Sequence, residues 1–370
     1  MKQSIIKKQL TCVIAFLLCS IAVQSNCSDP YYNEKHLTLF ENKNILILGG
    51  TGFIGRALTT EILKYNPKSI VIFSRDEVKH FNFINIFGNN PKIKHVIGSI
   101  RDIDCLTRAT RGIDMVFHAA ALKRMDDLER NVEEAIKTNI LGSINVFNAC
   151  VANNVPKVLF ISTDKACSPI NIYGACKFAS EKIFTNYDQS HITTQFIVAR
   201  YGNILESTGS VIPIFTDKIL KGEAIPLTDP EMTRFILDKH EAIDLIFDAL
   251  HYGTGGEIFS KKTISFKITD LIEILKTKFK ATNPVKIIGL RPGEKIHEML
   301  VNESEMARTF EYKNCYIIYP SVRDMSKTGD DELPFYITRG KKLAMHHFSS
   351  DQTLLTQDEV SSLFKKFGLL

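Results

Sequence analysis

No Cys-x-x-Cys pair occurs in this chain, although it carries eight cysteines, at 12, 19, 27, 105, 150, 167, 176 and 315. That excludes zinc-ribbon and thioredoxin-type sites, and no metal site is expected. Disulfide frameworks belong to chains too small for a sufficient core, and 370 residues can bury a large one. The cysteines therefore read as thiols of a reducing compartment. An excess of one charge is also lacking. Lys plus Arg is 46 and Asp plus Glu is 41, a formal net charge of +5. Over this length +5 is no footprint for nucleic acid, but it suits an anionic small molecule. There is no internal repeat and no low-complexity tract. Apolar residues at 44% and charged residues at 24% are close to the globular average. A disordered, collagen-like or multi-span membrane protein is excluded.

One long apolar run stands out, Leu10 to Val23, after Lys2, Lys7 and Lys8. It suits a signal-peptide core and is short for a membrane span. Residues 1–25 read as a signal-like extension and 26–43 as a linker. From Asn44 the pattern is α/β. Apolar runs at 44–48, 69–74, 95–100, 115–121, 157–163 and 195–201 predict buried parallel strands. Helical stretches fall at 55–65, 131–153 and 173–187. The alternation predicts a Rossmann-type, doubly wound parallel sheet over 44–203. Beyond it, Gly209, Pro213, Gly222, Pro226, Pro230, Pro284, Pro292 and Gly293 punctuate the chain. Residues 204–370 are expected to form mainly a smaller substrate-binding lobe, with 236–262 returning to the Rossmann domain.

Gly49-Gly50-Thr51-Gly52-Phe53-Ile54-Gly55 follows the first strand and opens a helix. Gly49 suits a tight turn, Gly52 a close backbone approach to a pyrophosphate, and Gly55 helix–strand packing. The helix N-terminus adds N–H donors for phosphates. A dinucleotide is the expected ligand. The second strand ends Ser74-Arg75-Asp76, where such folds read the adenosine ribose. Ser74 and Arg75 favour the 2′-phosphate of NADP, while Asp76 leaves NAD open.

Thr163 falls at the end of the fifth strand, and Tyr173 and Lys177 share one helix face at i and i+4. An ammonium beside the phenol would lower the tyrosine pKa. The phenolate could then take a proton from a sugar hydroxyl as hydride departs. Thr163 can hydrogen-bond the same oxygen.

These motifs resemble the extended short-chain dehydrogenases/reductases. Within them the chain is similar to the C5-inverting UDP-N-acetylglucosamine 4,6-dehydratases of the polysaccharide biosynthesis protein family, over residues 42–365. The resemblance rests on the glycine turn, Ser74-Arg75-Asp76-Glu77, residues 118–123, Lys137-Thr138-Asn139, residues 162–166, Tyr173 to Lys177, Arg200-Tyr201-Gly202-Asn203, residues 228–235 and Arg291-Pro292-Gly293-Glu294-Lys295. It implies oxidation at sugar C4, loss of water across C5 and C6, and hydride return to C6, with pseudaminic acid or another surface glycan as destination. Lys165 would be the C5 base and Asp164 the acid for the 6-hydroxyl. For those roles the pKa of Lys165 should fall toward 7, through burial and the charge of Lys177 or Lys123, and that of Asp164 should rise. Tyr173 favours the inverting branch, since large membrane-bound relatives carry Met there.

The resemblance also places Thr51, Phe53, Ile54, Ser99, Ile100, Ala119, Ala120, Ala121 and Lys123 on the cofactor. It places Lys123, Asn203, Arg234, Arg291 and Glu294 on the sugar nucleotide, with Arg200 beside the sugar and Asn139 in a structural or relay role. Two departures stand out: Ser99 occupies a position where the family carries an adenine-binding Asp, and Asn131-Val132 replaces Asn-Pro. A homo-oligomer, dimer or higher, is implied through 131–154 and 173–187. Cofactor and UDP-sugar pools favour the cytoplasm, while 1–25 leaves membrane association or export open. Two other readings remain: a UDP-sugar 4-epimerase, which needs no Asp164-Lys165 pair, and a non-catalytic dinucleotide sensor, which would have no use for Tyr173 and Lys177.

Overall fold

A computed structural model describes residues 33–188, 191–205, 211–323 and 333–366. The signal-like segment 1–25 and linker residues 26–32 lie outside the described residues; the rest of the expected linker is partly helical, at Glu34–His36 and Leu37–Phe40, and Phe40 is buried in the first core. Seven parallel strands form the main sheet: β1 (Asn44–Leu48), β2 (Ser69–Ser74), β3 (Ile93–Ile97), β4 (Met115–His118), β5 (Lys157–Ile161), β6 (Gln195–Arg200) and β7 (Ile258–Lys261). Three antiparallel strands extend it: β8 (Thr309–Tyr312), β9 (Cys315–Ile318) and β10 (Lys341–Lys342). The spatial order is β10-β8-β9-β7-β6-β5-β4-β1-β2-β3. Strand order reverses between β1 and β4, so their C-terminal ends open the crevice where such sheets bind ligands.

The runs form strands because both faces are covered. Along β1, Ile45 and Ile47 enter one core while Leu46 and Leu48 enter the other. That is the period-two alternation of a strand buried on both sides. Helices α1 (Phe53–Leu63) and α2 (Glu77–Phe87) lead the chain off β1 and β2. Leu58 and Ile62 of α1 join the first core, with Ile243 and Ile246 of a later helix, Lys239–Tyr252. α3 (Gly142–Ala152) and α4 (Ile172–Thr185) add Val146, Ala149 and Phe184 to the second. A third core, with Phe215, Leu227, Phe266, Leu271 and Phe364, lies beyond residue 204.

Several boundaries differ from those read in the sequence. β4 and β5 stop at His118 and Ile161, so residues 119–121 and Thr163 sit in the loops beyond. The helix expected over 131–153 is divided into Val132–Ala135, a π-helical Ile136–Leu141 and α3. Residues 309–318 and 341–342, assigned from sequence to the substrate lobe, are strands of the main sheet. No helix among the described residues is long and apolar enough to cross a membrane.

Candidate active site

The C-terminal ends of β1, β2, β4 and β5 and the second lobe enclose one cleft of about 1560 Å³. Gly49 turns the chain off β1 with φ +79°, and a Cβ there would meet Ala120 N at 2.8 Å. Only glycine fits, because the β1 and β4 loops touch. Gly49, Thr51, Gly52, Phe53, Ile54 and Gly55 line the cleft, so the start of α1 points its free N–H groups into it. Ala119, Ala120, Ala121 and Lys123 line the adjoining wall. Asn139 holds this loop by two hydrogen bonds to Leu122, its Nδ2 donating to the carbonyl and its Oδ1 accepting from the N–H, both at 2.8 Å. The narrow glycine cradle, the helix N-terminus and the long cleft fit a dinucleotide.

Ser74, Arg75 and Asp76 lie at the far end. Asp76 is committed to α2, accepting from Lys79 N at 3.0 Å, and that bond holds its carboxyl below the usual range. Ser74 Oγ accepts from Thr51 Oγ1 at 2.9 Å. Ile100 lines the cleft, but Ser99 is not among its lining residues. The Ser99 hydroxyl accepts from Arg101 N at 3.2 Å.

Beyond β5, Thr163 caps a short 3-10 turn, Asp164–Ala166. The turn breaks strand alternation and lets adjacent side chains meet. Asp164 is fully buried; its Oδ1 accepts from Thr163 Oγ1 at 2.8 Å and from Lys165 Nζ at 3.1 Å. Its Oδ2 has no partner, and a Cβ on the cleft residue Gly202 would lie 3.4 Å from it. Lys165 Nζ also lies 3.4 Å from Asn203 Oδ1 and 3.6 Å from Glu298 Oε1. Burial disfavours its ammonium, but the Asp164 and Glu298 carboxylates outweigh that and raise its pKa. The expected fall toward 7 is thus reversed in the free chain, because two carboxylates, rather than Lys177 or Lys123, face Lys165.

α4 begins at its cap Asn171, and Tyr173 and Lys177 both line the cleft. Burial lowers Lys177 to about 7, opposed by Glu181 and Cys176. Its Nζ donates to Ile161 O at 2.5 Å and lies 4.1 Å from the Phe160 ring centroid. Burial pushes Tyr173 up to about 12, and the cation that opposes the rise is Lys165. The expected lowering of Tyr173 by Lys177 is absent in the free chain: burial raises Tyr173 and itself disfavours the Lys177 ammonium.

The second lobe closes the sugar end. Asn203, Arg234, Arg291 and Glu294 line the cleft. Asn171 Nδ2 donates to Gly293 O at 2.8 Å, tying the 291–295 turn to the start of α4. Arg234 Nη1 donates to Thr233 O and Ile296 O. Arg200, expected beside the sugar, is buried under the sheet between Glu181 and Glu305. Glu298 was not singled out in the sequence. It is buried, its Oε1 lies near Lys165 and Arg234, and its Oε2 has no partner. Its only sequence signal is a carboxylate four residues past Glu294, just before the strand Met299–Val301.

A family model described as "Polysaccharide biosynthesis protein" matches residues 45–320. A UDP-N-acetylglucosamine 4,6-dehydratase (inverting) of Campylobacter jejuni is 41% identical over 326 residues, 87% of this chain and 96% of the relative. A UDP-glucose 4-epimerase of Rickettsia bellii is 39% identical over 333 residues, 88% of this chain and 96% of the relative. The X-ray structure of Pen from Bacillus thuringiensis superposes with a TM-score of 0.80 at 34% identity, covering 88% of this chain and 99% of that one.

Proposed function

This chain belongs to the polysaccharide biosynthesis protein family, and we propose that it is a hydro-lyase that converts UDP-N-acetylglucosamine to a UDP-4-keto-6-deoxy-L-arabino-hexulose. The observation that carries this reading is the 3.1 Å contact of the buried Asp164, itself not on the cleft surface, with Lys165, which lines the cleft beside Thr163 and Tyr173. A 4-epimerase needs a hydroxyl base but no acid–base pair for elimination.

As its phenolate, which burial disfavours in the free chain, Tyr173 takes the proton of the sugar 4-hydroxyl, and Thr163 Oγ1 hydrogen-bonds the same oxygen once its hydrogen leaves Asp164 Oδ1. Bound NADP supplies the hydride acceptor at C4 and the hydride returned to C6, so net redox is zero. The 4-ketone acidifies H5. Elimination then needs a free amine at H5 and a protonated acid at the 6-hydroxyl. The Asp164–Lys165 ion pair already holds the right number of protons. One transfer from Nζ to Oδ1 leaves both groups in the required state, although the resting pair favours the ionised form. Asp164 then gives that proton to the departing hydroxyl, and Lys165 takes H5. Inversion at C5 follows if the returning proton arrives on the opposite face, as the name of the Campylobacter relative implies for that enzyme.

Arg291 and Arg234 suit the diphosphate, since a guanidinium pairs with phosphate oxygens, and Glu294 suits ribose hydroxyls. The capping role of Asp76 and the place of Arg75 on the cleft favour NADP over NAD. Exposed Val132, Ile136, Leu141 and Ile144 support a homo-oligomer through this helical segment. A cytoplasmic place, where UDP-sugars and dinucleotides are made, and a product destined for pseudaminic acid or another surface glycan complete the reading.

The Rickettsia relative's name favours 4-epimerisation as the second reading. Mass spectrometry and NMR of UDP-N-acetylglucosamine treated with the purified protein decide between them. A product lighter by one water supports the dehydratase. An unchanged mass with inverted C4 overturns it.

A further inference from the structure

The edge of the main sheet opposite the cleft carries a row of basic residues. β1, β2, β3 and β4 run parallel, so their N-terminal ends share this edge, in the order β4-β1-β2-β3. Lys43 stands one residue before β1, Lys68 one before β2, Lys92 one before β3 and Arg111 four before β4. Backbone bonds hold the first three side by side: Lys68 N donates to Lys43 O at 2.9 Å, and Ile70 N to Lys92 O at 2.7 Å. With strands about 4.8 Å apart, the row spans about 14 Å. Arg108, exposed in the last turn of the helix Ile103–Ala109 that leads into β4, adds a further cation. We propose that this edge is a docking surface for an anionic phospholipid membrane, with the cleft turned away from the lipid.

The charges of the row are available. Lys43, Lys68, Arg108 and Arg111 form no ion pair among the described residues, and Lys92 Nζ donates to the neutral amide of Asn66. Lys35 and Lys64, at the same edge, are by contrast bound to Asp248 and Glu61. The acids beside the row are Glu34, Glu41 and Asp114, and the Asp114 carboxylate already accepts from Asn44 N at 2.7 Å. Each Lys or Arg held near an anionic bilayer strengthens binding by about 5-fold.

The choice of a membrane over another polyanion comes from the chain that enters here. The described residues begin at this edge: Asn33 N donates to the Tyr65 hydroxyl at 3.1 Å, and Phe40 is buried in the first core. The apolar run Leu10 to Val23, preceded by Lys2, Lys7 and Lys8, is separated from Asn33 by nine residues. Nine residues reach at most about 30 Å. A nucleic acid would use the cations and leave the apolar run without a partner, whereas a bilayer with anionic headgroups takes both. Fourteen apolar residues are short for a span and suit the membrane interface. An apolar segment and a basic patch together supply the two signals that stable attachment needs. The cleft stays open in this orientation. α1 starts at the cleft and its 11 residues run about 16 Å toward Tyr65 and the basic edge.

The test is co-sedimentation of the full chain with vesicles of phosphatidylcholine alone and of phosphatidylcholine mixed with phosphatidylglycerol, at low and high salt. The proposal predicts tighter binding to the anionic vesicles, with the difference lost at high salt. The double variant Lys68→Glu, Arg111→Glu should bind the anionic vesicles at least about 10-fold more weakly and the phosphatidylcholine vesicles as the parent does. The same reversal at Lys280 and Lys286, exposed in the second lobe, should change neither. Equal circular dichroism and urea midpoints show that all three proteins are folded. Equal parent binding to both kinds of vesicle, or an anionic preference that survives the Lys68 and Arg111 reversal, would overturn the proposal. A duplex oligonucleotide that displaces the protein from the anionic vesicles at equal phosphate concentration would also overturn it, marking the edge as a nucleic-acid surface.

Discussion

Lys165 Nζ lies 3.1 Å from Asp164 Oδ1 and 3.6 Å from Glu298 Oε1, so one ammonium is shared by two buried carboxylates. The arrangement sets the resting proton on Lys165 and leaves one oxygen of each carboxylate without a partner. Removing the amine removes the base. Lys165→Ala should lose about 10²–10⁴ in kcat for dehydration while cofactor affinity holds, as read by product assay and calorimetry.

Glu298→Gln keeps the shape and removes one of the charges that hold the Lys165 proton. The Lys165 pKa should fall, and with it the pH at which the pair loses its one proton, so activity should be lost earlier on the alkaline side. The pH profile of kcat measures this. An alkaline limb that stays in place would mean that Glu298 does not act on Lys165.

Lys177 makes a prediction about stability. Its folded-state pKa is about 7, against an ordinary 10.5. Between those values the unfolded chain binds more protons at this site than the folded one, so the site makes stability rise with pH across that window. Lys177→Met should flatten the rise, seen as a smaller change in urea midpoint between about pH 7.5 and pH 9.5 than in the parent. Activity should fall at the same time.

Arg200 should prove structural. Its guanidinium bonds Glu181, Glu305 and Leu300 O, all beneath the sheet. Arg200→Met strands two buried carboxylates and should cost about 3–5 kcal/mol in chemical denaturation. Gly49→Ala acts differently. At φ +79° with Ala120 N 2.8 Å from the new Cβ, it should displace the turn and abolish dinucleotide binding.

What the sequence showed was local. β1 and β2 match residue for residue, because each is a short apolar run, too brief for a helix and rich in β-branched residues, that ends at a turn signal. The glycine turn, Thr163, Tyr173 and Lys177 were legible because each sits at a fixed offset within one strand–turn–helix unit. What it hid was long-range. Glu298 meets Lys165 across more than a hundred residues, and no spacing rule reports such a contact. Arg200 reads as a strand-end charge until Glu305 arrives from the far lobe. The Lys165 shift came first from its neighbour Asp164 and then from the distant Glu298, and that of Tyr173 from its burial in the folded chain. β8 and β9 were missed because antiparallel additions at a sheet edge carry no crossover helix to announce them.

The most direct measurement is turnover of UDP-N-acetylglucosamine in D₂O without added reductant, followed by mass spectrometry, for the parent and Lys165→Ala. The account predicts a parent product that has lost one water and gained one carbon-bound deuterium, and no such product from the variant. A parent product of unchanged mass, or a variant that dehydrates at the parent's rate, would contradict it.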